Sequence, residues 1–296
     1  MQTTQKQFIP PGTKIPAYAI TFQSLTDLAD WTAARHADGT HVPCGWSRRE
    51  CPATAKAERR IHTGDNAMVD ASEKLMAMIE ATSPEGVGQM GVVRAIAGGF
   101  PDVPALLAGS PLAMRQRRRR HALASLRIVV NVASSAGISD SLLERRGAAT
   151  LALLRLLETA GHPVELWVMH AIAGDAQRCK GGAFTFVRME TGPVDLARSA
   201  WALGSSEFSR HVLYNANTTH LNDPGLSPWP WQSRRWHENQ KLQAEAVACA
   251  MDIEESEMIY LPMVYLSSGS AFESDKTSAA WVTDTYTKAT AAYVAE

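Results

Sequence analysis

Leu126-Arg127-Ile128-Val129-Val130-Asn131-Val132, then Ser139 to Ala160 (SDSLLERRGAATLALLRLLETA), then Val164 to His170 (VELWVMH) form the stretch whose reading decides the fold. The first run is short, apolar and β-branched, as expected for a strand covered on both faces. The middle segment reads as a long amphipathic helix, with Ser139 or Asp140 as its cap and Gly161 as its stop. The third segment repeats the strand pattern. Strand, helix and strand with short joints make a right-handed βαβ unit, and so a parallel pair. Ala183 to Glu190 (AFTFVRME) follows a short Gly/Asp/Lys-rich loop, Gly174 to Gly182, and is expected to pair antiparallel with the second strand.

Working outward, helices are predicted at Val194 to Leu203, Ser206 to Leu213 and Arg235 to Met251. Ile259 to Leu266 (IYLPMVYL) reads as a strand, which Pro262 restricts to an edge or a bulge. Toward the N-terminus, residues 24–114 are expected to be mainly helical. Helices run from Ser24 to Ala37, from a capping-box spacing at Ser47 and Glu50 toward Arg60, and from Asn66 to Glu80. Residues 1–23 read as an extended arm, because Pro10, Pro11, Gly12 and Pro16 break any helix. The expected fold is a three-layer α/β domain over 115–266, with a mainly parallel sheet and a β-hairpin edge. A polar, acidic tail with a terminal helix occupies 267–296.

The composition suits a globular chain with a sizeable core: 296 residues, 45% hydrophobic and 20% charged. No stretch reaches the roughly 18 to 20 apolar residues that cross a bilayer, and Met1 to Lys14 lacks a signal-like apolar run. A cytoplasmic location without membrane contact is therefore expected. Cys44, Cys51, Cys179 and Cys249 are too scattered for a disulfide framework. His36, His41, Cys44, Cys51 and His62 lie in one region, but only His41 and Cys44 have the spacing of a zinc-ligand pair. No metal or other cofactor is expected.

The formal net charge of −1 hides a gradient: residues 238–296 carry −7, and the preceding 237 residues carry +6. A basic body with an acidic end suits a protein that meets polyanions. The sequence has no phosphate loop, nucleophile elbow or His-Glu-x-x-His helix, which favours binding over catalysis.

Three places attract chemistry. The first is the turn Asn131-Val132-Ala133-Ser134-Ser135-Ala136-Gly137, because ligands gather where parallel strands end beside a helix start. Its position, and the order βαβ then hairpin, resemble von Willebrand factor A domains, which carry Asp-x-Ser-x-Ser metal motifs there. Asn131, Ala133 and Ser135 stand at the matching positions, so the aspartate and one hydroxyl are missing and magnesium loses its preferred carboxylate.

The second place is Arg115-Gln116-Arg117-Arg118-Arg119-Arg120, five arginines in six residues. Crowded guanidiniums repel one another, and a polyphosphate relieves that repulsion while releasing counterions. The alternative is a solvated segment paired with the protein's own carboxylates. Arg145 and Arg146 either join this patch or are ordinary surface residues. The third place is Trp229-Pro230-Trp231-Gln232-Ser233-Arg234-Arg235-Trp236, where Trp229, Trp231 and Trp236 interleave with Arg234 and Arg235. Unpaired bases stack on such rings for roughly 1 to 3 kcal/mol each while arginine holds the backbone. Tryptophans also serve as core anchors.

The runs Gly45-Trp46-Ser47, Ala97 to Pro104, Leu107 to Met114, Glu144 to Ala149 and Gly161 to Leu166 resemble a group of tailed-phage proteins over roughly residues 40–215. In outline the chain resembles the single-stranded-DNA-binding RNA polymerase cofactors of schitovirus-type podophages. That resemblance implies single-stranded DNA and a phage RNA polymerase as partners, in the cytoplasm of an infected cell. Two rivals stand beside it: a non-enzymatic, von Willebrand A-like interaction scaffold with a degenerate metal site, and a phage enzyme or inhibitor of host defence.

Overall fold

The computed structural model describes residues 3–11, 17–37, 52–82, 92–95, 100–101, 103–117, 125–134, 137–172, 182–189, 195–220, 240–264 and 269–291. The strands are β1 (Thr3–Phe8), β2 (Ala17–Phe22), β3 (Val92–Ala95), β4 (Phe100–Pro101), β5 (Met114–Arg117), β6 (Leu126–Asn131), β7 (Val164–Ile172), β8 (Ala183–Arg188) and β9 (Met258–Leu261). The α-helices are α1 (Leu25–Ala37), α2 (Pro52–Thr63), α3 (Asn66–Thr82), α4 (Val103–Leu107), α5 (Asp140–Thr159), α6 (Leu196–Gly204), α7 (Tyr214–His220), α8 (Gln240–Met251) and α9 (Asp275–Ala291). A π-helical segment, Phe208–Leu213, leads directly into α7.

The chain is α/β, built on a six-stranded mixed sheet in the order β1-β2-β8-β7-β6-β9. The βαβ unit is as expected: β6 and β7 run parallel, from Leu126 opposite Val164 to Asn131 opposite Met169. Ser139 caps α5, its hydroxyl accepting from the Leu142 N–H, and Gly161 ends the helix at φ +93°. β8 pairs antiparallel with β7, and β9 lies parallel on the other side of β6. β9 is an edge strand that stops at Leu261, which is how Pro262 is accommodated.

Two expectations change. The β7–β8 hairpin is internal, because residues 1–23 do not stand apart as an arm. β1 and β2 form a hairpin of their own, and β2 adds to β8 in parallel register. Proline and glycine signals in 10–16 rule out helix, but they fit a hairpin connection equally well.

Alternation along the strands sorts two cores. Ile20, Phe22, Ile128, Val130, Leu166, Val168 and Val187 face α1, α2, α3, α5, α6 and α9. Ala19, Val129, Trp167, Met169, Phe184 and Phe186 face α8. The second change concerns α5, read as amphipathic but buried on nearly every side from Gly147 to Leu154. Helices α3, α6 and α9 cover its outer face, and so the polar residues of an exposed face are lacking through the middle of the helix.

At Gly147 α5 and α6 approach closely. A Cβ there would sit 2.9 Å from the Gly204 backbone N and Cα, and 3.2 Å from the Leu203 carbonyl carbon. A Cβ on Gly204 instead meets chiefly the flexible end of Met68. Gly147→Ala is expected to lose about 1–2 kcal/mol in urea unfolding, the overpacking outweighing the gain in helix propensity of about 1 kcal/mol. Gly204→Ala should lose less, and equal losses would refute the close-approach account.

Candidate functional site

At the carboxyl ends of β6 and β9 the sequence places Asn131, Arg146 and Tyr260, and the fold joins them. Arg146, in the second turn of α5, is 2% exposed. Its Nη1 donates to the Asn131 carbonyl (3.1 Å), and its Nη2 donates to the carbonyls of Leu261 (3.3 Å) and Pro262 (2.7 Å). Parallel strands leave their last carbonyls without ladder partners, and one planar fork supplies donors to both strands. Burial drives the guanidinium down to about 10, opposed weakly by the Tyr260 phenol.

Arg146 is therefore corrected from phosphate contact to interior group. A side chain this deeply buried cannot reach a nucleic-acid backbone. Leu143 and Thr150, three and four residues away, are both buried, but Arg145 has Leu142 and Ala149 at the same spacing, so sequence does not separate the two arginines. Arg145, the neighbouring candidate, is half-buried, and its Nε donates to the Phe272 carbonyl at 2.7 Å.

Asn131 stands where the resemblance would have an aspartate, and it is fully engaged inside the fold. Its Oδ1 accepts from the Ala133 N–H (3.1 Å), a turn-forming bond, and its Nδ2 donates to the Tyr260 hydroxyl (3.5 Å). Tyr260 in turn donates to Gln243 Oε1 on α8 (3.1 Å). Burial pushes the Tyr260 phenol up to about 12, so it stays neutral. The Ser134 hydroxyl is buried without a hydrogen-bond partner among the described residues. Ser135 lies outside them. The described donor set is amide, hydroxyl and a fixed cation with no carboxylate, which does not fit a magnesium ion. Among the described residues, no group of three His, Cys, Asp or Glu side chains is placed to hold a metal.

A second polar cluster lies one strand over. His170 on β7 is buried, and its Nδ1 accepts from Asn217 Nδ2 on α7 at 3.0 Å. The Asn217 Oδ1 accepts from the Thr185 hydroxyl of β8 at 2.6 Å. Tyr214 packs edge-on against the imidazole, with ring centroids 5.9 Å apart. Burial holds His170 down at about 4, so the ring is neutral at physiological pH.

The arginine tract divides. Arg115 and Arg117 lie on β5, the central strand of a separate antiparallel ladder in the order β3-β5-β4. Arg118, Arg119 and Arg120 lie outside the described residues, as do Trp229, Trp231, Arg234, Arg235 and Trp236. The register places Arg94 of β3 opposite Arg115, and Phe100 of β4 opposite Arg115 on its other side. Arg117 is two residues along and opposite Val92, so Arg94, Phe100, Arg115 and Arg117 occupy positions on one face of the ladder. Neither Arg94 nor Phe100 stands out in the sequence. Arg94 is a single arginine in VVRA, and only pairing brings it to the tract.

Between β4 and β5, α4 exposes Val103, Leu106 and Leu107, the last at 83%. Part of the acidic C-terminal end is neutralised internally, since Glu257 pairs with Arg127 and Asp252 with Lys6. None of the described helices is long and apolar enough to cross a membrane.

A family model described as a domain of unknown function, DUF7192, matches residues 5–269. The chain belongs to that family. No curated protein and no solved structure matches it. The DUF7192 span includes both sheets apart from the first residues of β1, together with Asn131, Arg146 and Tyr260. Helix α9 begins beyond it, at Asp275.

Proposed function

We propose that the chain binds single-stranded DNA, with the β3-β5-β4 ladder as the backbone-contacting surface. The observation that carries this is the register of Arg94 against Arg115 with Arg117 alongside. Like charges directly opposite one another in an antiparallel pair are destabilising. A polyphosphate turns that cost into a binding contribution, because each neutralised phosphate releases counterions. Phe100 at the neighbouring position supplies a ring on which an unpaired base stacks. Arg118, Arg119, Arg120 and the Trp229–Trp236 segment carry the same residue chemistry, cations for phosphates and rings for bases. In the setting implied by the resemblance to phage polymerase cofactors, the ligand is melted promoter DNA and the protein partner is a phage RNA polymerase.

Fluorescence anisotropy with labelled single-stranded and duplex oligonucleotides at two salt concentrations tests this reading. The single strand is expected to bind more tightly. Replacing Arg94, Arg115 and Arg117 together by serine should weaken binding about tenfold and lower the logarithmic salt slope by about 2, at roughly 0.7 per phosphate. Unchanged affinity and slope would end the proposal.

A second reading is favoured by the strand-end site. The run β8-β7-β6-β9 and the carboxylate-free turn at Asn131 fit a von Willebrand A-like interaction scaffold that no longer uses a metal. Capture of a protein partner that survives nuclease treatment, with no oligonucleotide shift, would select it.

A further inference from the structure

Beside Arg146 the fold leaves a half-open cavity of about 270 Å³, closed by the end of β9, the short turn Gly269–Phe272 and α9. Its walls include Tyr260, Met263, Phe272, Trp281 and Thr285, and Arg146 is the one charged side chain among the described residues lining it. Phe272 and Trp281 meet edge to face, with centroids 5.1 Å apart and planes at 64°, which makes a stiff aromatic wall. The exposed wall is about evenly polar and apolar, with one cation and two hydroxyls beside the aromatic pair.

We infer that this cavity is a binding site for a small organic anion: a carboxylate carried on a single ring or a short branched chain. The guanidinium has five N–H donors, and its described bonds run to three neutral carbonyls, with no carboxylate among them. Carbonyl dipoles offset a buried charge only in part. An anion in the cavity gives it a counter-charge where screening by water is weak, reached through the N–H donors that the three described carbonyls leave over. The Phe272–Trp281 wall then offers a face to the body of that anion, a ring or branched chain. The volume lies just under the roughly 300–1,000 Å³ of drug-sized sites, which limits that body to about one ring. Trp281 and Thr285 come from α9, so the site is assembled from the DUF7192 span and the helix that follows it. It does not depend on the arginine ladder, and either proposal can fail without the other.

The test uses the full chain with phenylacetate as probe and phenylacetamide as its neutral counterpart, followed by isothermal titration and thermal melting at pH 7. Phenylacetate is expected to bind at one saturable site and raise the melting temperature, with the amide at least tenfold weaker. Ala271→Trp, which fills the cavity from the turn, should abolish binding. If that variant fails to fold, Thr285→Trp makes the same block from α9. The inference is overturned by absence of saturable phenylacetate binding, by equal binding of the amide, or by undiminished binding in a folded, blocked variant.

Discussion

Arg146→Ala is expected to destabilise the protein by about 3–4 kcal/mol, read as a shift of the urea midpoint at pH 7. Three carbonyls at the ends of β6 and β9 lose their donor. Each buried acceptor left unsatisfied costs about 1–3 kcal/mol, and the deleted side chain leaves a void besides. Against this stands the relief of a buried charge. The fall of the guanidinium from its ordinary value to about 10 puts that relief near 3 kcal/mol. Lost hydrogen bonds and lost packing together outweigh it. Arg146→Met separates the two terms, since it restores much of the volume but none of the donors. It should still lose about 2 kcal/mol. A methionine variant as stable as the parent would mean that the strand ends do not need the fork, as happens when some buried ionic groups are replaced by apolar ones.

Stability should also fall by about 3 kcal/mol between pH 6.5 and about 4 through His170 alone. Above pH 6.5 the ring is neutral whether the chain is folded or unfolded, and the group contributes no pH dependence. Below that value the unfolded chain takes up a proton that the folded chain refuses until about pH 4, so each step down favours unfolding. The structure explains the refusal: Nδ1 already accepts from Asn217, and among the described residues no carboxylate is bonded to the ring to compensate a charge. His162 and His211, also held low by burial, add in the same direction. His170→Gln should flatten the pH dependence in urea titrations by most of this amount. An unchanged slope would assign the acid sensitivity to other groups.

How much of the architecture is legible in the residues depends on the range over which each signal acts. The βαβ unit is, because LRIVVNV and VELWVMH are runs of local pattern and Ser139 and Gly161 mark their helix at both ends. The antiparallel return of β8 follows from a short connection. By contrast, β2 lies in the same sheet only because Tyr18 pairs with Ala183, more than 160 residues away, and no local feature of AYAITF announces that partner. The same holds for Arg94: VVRA carries no excess of charge until β5 lies beside it.

The sequence by itself determined the strand, helix and strand from Leu126 to His170, the caps of α5, the edge placement demanded by Pro262 and the loss of the carboxylate at Asn131. These depend on backbone preferences and side-chain chemistry over a few residues. Tertiary structure alone decided the role of Arg146, because two adjacent arginines have the same local pattern. One turns outward far enough to bond Phe272, while the other goes inward to meet carbonyls from strands 15 and 115 residues away. Whether a cation faces solvent or strand ends is set by which surfaces pack around its helix, and α3, α6 and α9 enclose α5 only once the whole chain has folded.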